Sequence, residues 1–174
     1  GLNHILMLFP GGTVLDPRGK EGAMELLASG MLKGGAGSLG PELVEETLGK
    51  YAIDISIAPQ REYTLVRLTC LPDVSEKAVS LLIDILTAPR LDEGRIGIER
   101  KIFADSLTRD EEDASTIAFD TYRRRYYRGD PRAFKPTRTT IAAITQEDLR
   151  SLHHQVFTHK PMLGIVGELP GSVS

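Results

Sequence analysis

The chain has 174 residues, 41% hydrophobic and 26% charged, the composition of an ordinary globular protein, which excludes a disordered or fibrous one. That length can bury about two thirds of its unfolded surface, so a core needs no staples. A net charge of -3 gives no long-range field to draw in nucleic acid or an anionic membrane. No apolar run reaches the roughly 18 residues of a membrane span.

The single cysteine, Cys70, excludes an internal disulfide, leaves the compartment open, and reads as a packing residue on a strand. Localisation is unknown from this sequence. The start lacks a basic, cleavable leader, but it opens on Ile5-Leu6-Met7-Leu8-Phe9, which reads as a strand already under way. The expectation is one domain over 1–174, excised from a longer protein.

In chain order, His4–Phe9 is a buried strand stopped by Pro10-Gly11-Gly12, and a short stretch, Thr13–Leu15, leads into Asp16-Pro17. Helical spacing of apolar residues over Lys20–Lys33 gives a first helix, which the glycines from Gly34 end. Pro41 opens a second helix to about Gly49. Ile53, Ile55 and Ile57 alternate with Asp54 and Ser56, the strand period, and Tyr63–Cys70 returns as the hairpin partner.

Asp73 and Glu76 have the spacing of a capping box before an apolar stripe from Val74 to Leu86. Leu91 to about Arg128 reads as one or two helices, interrupted at Asp110-Glu111-Glu112-Asp113. An irregular stretch follows, then a helix capped by Thr145 and Asp148 through Phe157, and a last strand over Met162–Val166. Runs of like elements make an α+β fold: a mostly antiparallel sheet with helices packed on one face.

Several local patterns fail as sites. His153 and His154 are helix neighbours about 100° apart, a poor chelating pair. With His159 they read as solvent-facing histidines near a helix end, and His4 stands alone. Arg123-Arg124-Arg125-Tyr126-Tyr127-Arg128 mixes cations with aromatics as single-strand binders do. It lies at a helix C-terminus, though, where cations suit the dipole and the tyrosines can pack on the core; no nucleic-acid partner is expected. Gly34–Gly40 follows a helix and lacks the Lys-Ser/Thr of a phosphate loop, so it reads as a flexible connector. Ser29 and Ser106 have neither a nearby His nor a nucleophile elbow.

From Gly11 to Pro170 the sequence resembles the first-half domain of the pitrilysin, insulinase and mitochondrial processing peptidase family, the inverted zincins. The residues that carry the resemblance are Gly12-Thr13, Asp16-Pro17, Gly19 and Gly22 before the first helix, and Met31-Leu32 with Gly35 after it. Glu99-Arg100, Ile144-Thr145-Gln146-Glu147-Asp148-Leu149-Arg150 and Val166-Gly167 continue it. Active members carry H-x-x-E-H on the first helix and a further Glu on a later one. Two imidazoles and a carboxylate hold Zn²⁺ with an open position for water, whose proton the remaining Glu takes.

Matching Met31-Leu32 to the family's Met-Leu puts the motif positions on Leu26, Ser29 and Gly30, and the distal Glu position on Ser106. A slip of one residue would put Asp105 there instead. None of the four is a usable ligand or base, and no H-x-x-E-H, H-E-x-x-H or paired-cysteine pattern occurs in any register. The resemblance therefore implies a non-catalytic variant, with no catalytic residue, no metal and no cofactor in this domain. Its expected partners are other domains of the same chain or a catalytic peptidase subunit, and unfolded peptide. The alternatives are the inactive half of an active zinc metallopeptidase whose site lies in another domain or subunit, and a free-standing interaction module.

Overall fold

The structure is a computed structural model that describes residues 1–110 and 114–168, the side chains of 108–110 excepted. Four strands, β1 (Asn3–Pro10), β2 (Asp54–Pro59), β3 (Tyr63–Cys70) and β4 (Met162–Val166), form one antiparallel sheet in the order β2-β3-β1-β4. Register follows from the alternation of apolar and polar residues. Ile5 faces Leu68, which faces Ile55, and Met7 faces Val66, which faces Ile57. These rows fall on one face because successive side chains alternate.

Helices α1 (Ala23–Lys33), α3 (Ser75–Thr87) and α7 (Gln146–Phe157) pack on the strands, α2 (Pro41–Lys50) and α4 (Glu93–Asp110) pack on α1, α6 (Arg138–Ala143) packs on α4, and α5 (Ala114–Tyr126) packs on the 3-10 turn Pro131–Ala133. The other face is open, with His4, Leu6, Arg67 and Asp54 exposed. An α+β architecture with helices on one side of the sheet is thus observed, and Cys70 is buried on β3.

Helix α1 is the centre of the core. Ala23, Met24, Leu26, Leu27, Ala28, Gly30 and Met31 are all buried, an apolar belt that reaches most of the way round because α1 packs against β2, α4 and α7. Its entry depends on Gly22, whose φ of 98° suits glycine. A Cβ there would also sit 3.0 Å from the Phe103 ring and 3.1 Å from Pro136. The Asp16 carboxylate accepts hydrogen bonds from the Gly22 and Met24 N–H groups, both at 2.8 Å, and so satisfies donors that the first turn leaves without partners.

Several expectations needed correction. Asp73 and Glu76 do not form a capping box. Pro72 fixes a 3-10 turn over Pro72–Val74, so α3 starts at Ser75 with no side-chain cap. The short stretch Thr13–Leu15 is a 3-10 turn. The irregular stretch holds another, Pro131–Ala133, and also α6, capped by Thr137 and Thr140. The expected interruption at Asp110-Glu111-Glu112-Asp113 lies outside the described residues except for Asp110, which ends α4.

The Gly34–Gly40 segment is a connector, but a fixed one. Gly35, Gly37 and Gly34 bond to the backbone of Arg90, Ala88 and Asp92, and Ala36 is fully buried. His153 does not simply face solvent: its Nε2 lies 2.8 Å from the Leu86 carbonyl and its ring stacks on Phe157. Tyr126 is 67% exposed rather than packed on the core. The expected cap of α7 is present, with reciprocal Thr145 and Asp148 bonds, and Asp148 also takes the Lys20 ammonium at 2.6 Å.

The Asn3 side chain closes the sheet corner. It donates to the Ser75 hydroxyl and the Glu168 carbonyl and accepts from the Glu168 N–H, at 2.7, 2.8 and 2.7 Å.

Candidate functional site

The motif positions lie where α1 crosses α4. Leu26 is buried, and Ser29 and Ser106 are half-buried. These three line one cleft of about 230 Å³ together with Glu25, Glu99, Ile102 and Phe103. Gly30 lies apart from that lining, packed under Leu91 and Ile96, where a Cβ would meet Ile96 at 3.3 Å and Leu91 at 3.4 Å. Asp105, the slipped alternative, is exposed and faces Arg138 at 3.7 Å.

Ser29 is occupied. Its hydroxyl donates to Glu99 Oε2 at 2.7 Å, and the Lys33 ammonium, one turn along α1, binds the same carboxylate at 2.9 Å. Ser106 donates back to the Phe103 carbonyl at 2.8 Å. Burial pushes the Glu99 carboxyl up, but the Ser29 and Lys33 donors and the charges of Lys33 and Arg95 outweigh it and hold the group below its ordinary range. Glu99 thus acts as an ionised clamp between the two helices.

Its neighbour Arg100 donates to the Ile144 carbonyl at 2.9 Å, so the Glu-Arg pair braces α4 against both α1 and the start of α7. In the sequence that pair served only for alignment, and its bracing role was missed. The signal available was Ser29 and Lys33 at i and i+4 with a carboxylate on a later helix.

Glu25 stands in the wall between this cleft and a second one of about 340 Å³. Burial raises its carboxyl above the usual range, against its own backbone N–H and Arg61, and its Oε2 is buried with no partner among the described residues. In the second cleft, buried Asp120 is held by Arg123 at 2.7 Å and Lys135 at 2.9 Å.

The donor set at the α1–α4 crossing does not fit zinc. It offers no imidazole or thiolate, and the cleft's two carboxylates are Glu99, already committed to Lys33, and Glu25. A tetrahedral peptidase site needs three nitrogen or oxygen ligands converging on one point. Among the described residues, no three His, Cys, Asp or Glu side chains converge to hold a metal.

With this geometry in view, solved structures identify the fold. The chain superposes on a protease from Helicobacter pylori with a TM-score of 0.86 at 15% identity, covering 98% of this chain and 42% of that one. Pitrilysin gives 0.82 at 18%, with 98% and 19% covered. A peptidase M16 inactive domain from Pseudomonas fluorescens gives 0.76 at 17%, with 87% and 37% covered. The chain has the α+β fold of M16 peptidase domains, and it spans less than half the length of each of these matches. No sequence-family model matches it, and no curated protein matches it by sequence.

Proposed function

We propose that this chain is a non-catalytic domain of a zinc-peptidase-like protein, with a structural or peptide-binding role. One observation carries the reading. Where the resemblance puts a water-activating zinc set, the chain has Leu26, Ser29, Gly30 and Ser106, and the Ser29–Glu99–Lys33 clamp ties the two helices together. A hydroxyl–carboxylate–ammonium set supplies cohesion between helices. It has neither an open metal position nor a base free to take a proton.

A second reading is favoured by the fractional coverage of the matched structures. In it, residues 1–174 act as one domain of a longer protein, and an intact zinc site lies in another domain or a partner subunit. The complete protein then cleaves peptides while this domain shapes the enclosure. A full-length sequence bearing H-x-x-E-H elsewhere would favour it.

The test is metal analysis of the purified domain together with a peptide-cleavage assay, with and without a chelator. The expected result is sub-stoichiometric zinc and no chelator-sensitive cleavage. One zinc per chain with cleavage abolished by chelator would overturn the non-catalytic reading.

A further inference from the structure

Helix α5 is unlike the rest of the helical layer. Its inward side carries buried Asp120 and half-buried Arg123, with half-buried Tyr127 just past its end, and Asp120 is fixed by Arg123 and Lys135. Its outward side carries Phe119, Tyr122 and Tyr126, at i, i+3 and i+7, exposed by 64%, 61% and 67%. This spacing sets the three on one stripe. The rings are already organised: Tyr122 stacks on Tyr126 at 5.7 Å, and Tyr126 meets Tyr127 edge-on at 4.8 Å. Exposed aromatic area of this kind, anchored from behind, is the usual mark of a contact surface.

The charges around the stripe identify what it fits. Arg124, Arg125 and Arg128 are exposed and make no hydrogen bond or ion pair among the described residues. All three stand at the C-terminal end, whereas Ala114 to Tyr122 contains no Lys or Arg. A nucleic-acid strand carries a phosphate at every step and calls for cations along the whole stripe. A polypeptide with a few carboxylates beside apolar side chains matches aromatic contacts in the middle and guanidinium contacts at one end.

We infer that the outward face of α5 is a docking stripe for an acidic polypeptide segment, its apolar side chains on Phe119, Tyr122 and Tyr126 and its carboxylates on Arg125 and Arg128. This rests on the peptide-binding reading above and adds the class of peptide.

The experiment uses three end-blocked, dye-labelled dodecapeptides built from Leu and Gly with Glu, Gln or Lys at the same positions, followed by fluorescence anisotropy. Wild-type chain is expected to bind the Glu peptide about tenfold more tightly than the Lys peptide, with the Gln peptide between, and the margin shrinks as salt rises. R125E/R128E reverses the order. Y122A weakens all three peptides, and thermal melts of both exposed-site variants match wild type.

Equal binding of the three peptides, or an unchanged order in R125E/R128E, overturns the inference while the peptide-binding reading stands. Absence of binding by every peptide overturns both. Tighter binding of a twelve-residue oligothymidylate than of the Glu peptide assigns the stripe to nucleic acid instead. A dimer that Y122A dissolves and the Glu peptide does not displace assigns it to a second copy.

Discussion

The α1–α4 crossing and helix α5 treat polar groups in opposite ways. At the crossing the polar groups at and beside the motif positions are tied to one another: Ser29 and Lys33 close on Glu99, Ser106 on its own helix, and Gly30 lets Ile96 and Leu91 approach. On α5 one buried carboxylate holds the helix, the aromatic stripe is exposed, and three exposed arginines make no hydrogen bond or ion pair among the described residues. A surface with its valences filled can add stability, whereas one with valences left over can recognise. The contrast accords with the proposal that puts peptide contact on α5, while α1 and α4 supply cohesion.

The sharpest way to break that comparison is to rebuild a zinc motif position. Gly30→His would drive an imidazole into Ile96 and Leu91 and bury its ring nitrogens without partners, so a loss on the order of 4 kcal/mol is expected. Urea unfolding measures it, and a loss under about 1 kcal/mol would mean the crossing has room for a ligand after all.

Asp120→Ala comes next. It strands Arg123 and Lys135 beside a vacated buried site, at about 3 kcal/mol. Amide exchange is the better readout, because α5 amides should lose protection while those of α1 keep theirs. Equal loss in both helices would show that α5 belongs to the same cooperative unit as the core.

Glu99→Ala leaves Ser29 and Lys33 without their acceptor at about 2 kcal/mol. Lys33 is half exposed, and solvent screening reduces the ionic share. The helix crossing should still form.

A smaller effect concerns Asp16. Burial pushes its carboxyl to about 7 from an ordinary 3.8, against the Gly22 and Met24 N–H donors. Between those two values the folded chain holds a proton that the unfolded chain has released. Raising the pH through that window therefore destabilises the fold, and below about pH 4 the penalty is absent. At about 1.4 kcal/mol per pKa unit the full shift would be about 4 kcal/mol, and solvent screening of the half-buried carboxyl reduces this to about 1–2 kcal/mol across the window, with Asp16→Asn flattening it. Denaturation midpoints measured from pH 4 to 7.5 decide it, and a wild-type midpoint that rises with pH would reverse the sign.

Much of the fold was legible because it is written in local periods. The alternation through Ile53–Ile57 and Tyr63–Cys70 gave the hairpin, and Thr145 with Asp148 gave the start of α7. Helix α6 was hidden because six residues with only Ile141 buried make no amphipathic stripe. The Asp73 cap failed since Pro72 had already set the local backbone.

At the site, the motif spacing put Leu26, Ser29 and Ser106 in one cleft. What local reading missed is the partner of Ser29, a carboxylate 70 residues away in sequence, and the Asp16 cap, which spans six and eight residues across a loop. The outward turn of Tyr126 was missed because helical phase alone does not say which side the body lies on.

The Asn3 clasp has a mechanical consequence. Because β1 and β4 run antiparallel, with His4 opposite Val166, tension applied through Gly1 and Glu168 loads the same corner of the sheet. Pairs there would open in succession rather than shear together. The Asn3 amide is the first catch on that zipper, and a chain with Asn3→Ala, stretched in an optical trap, should begin to open at lower force than its parent.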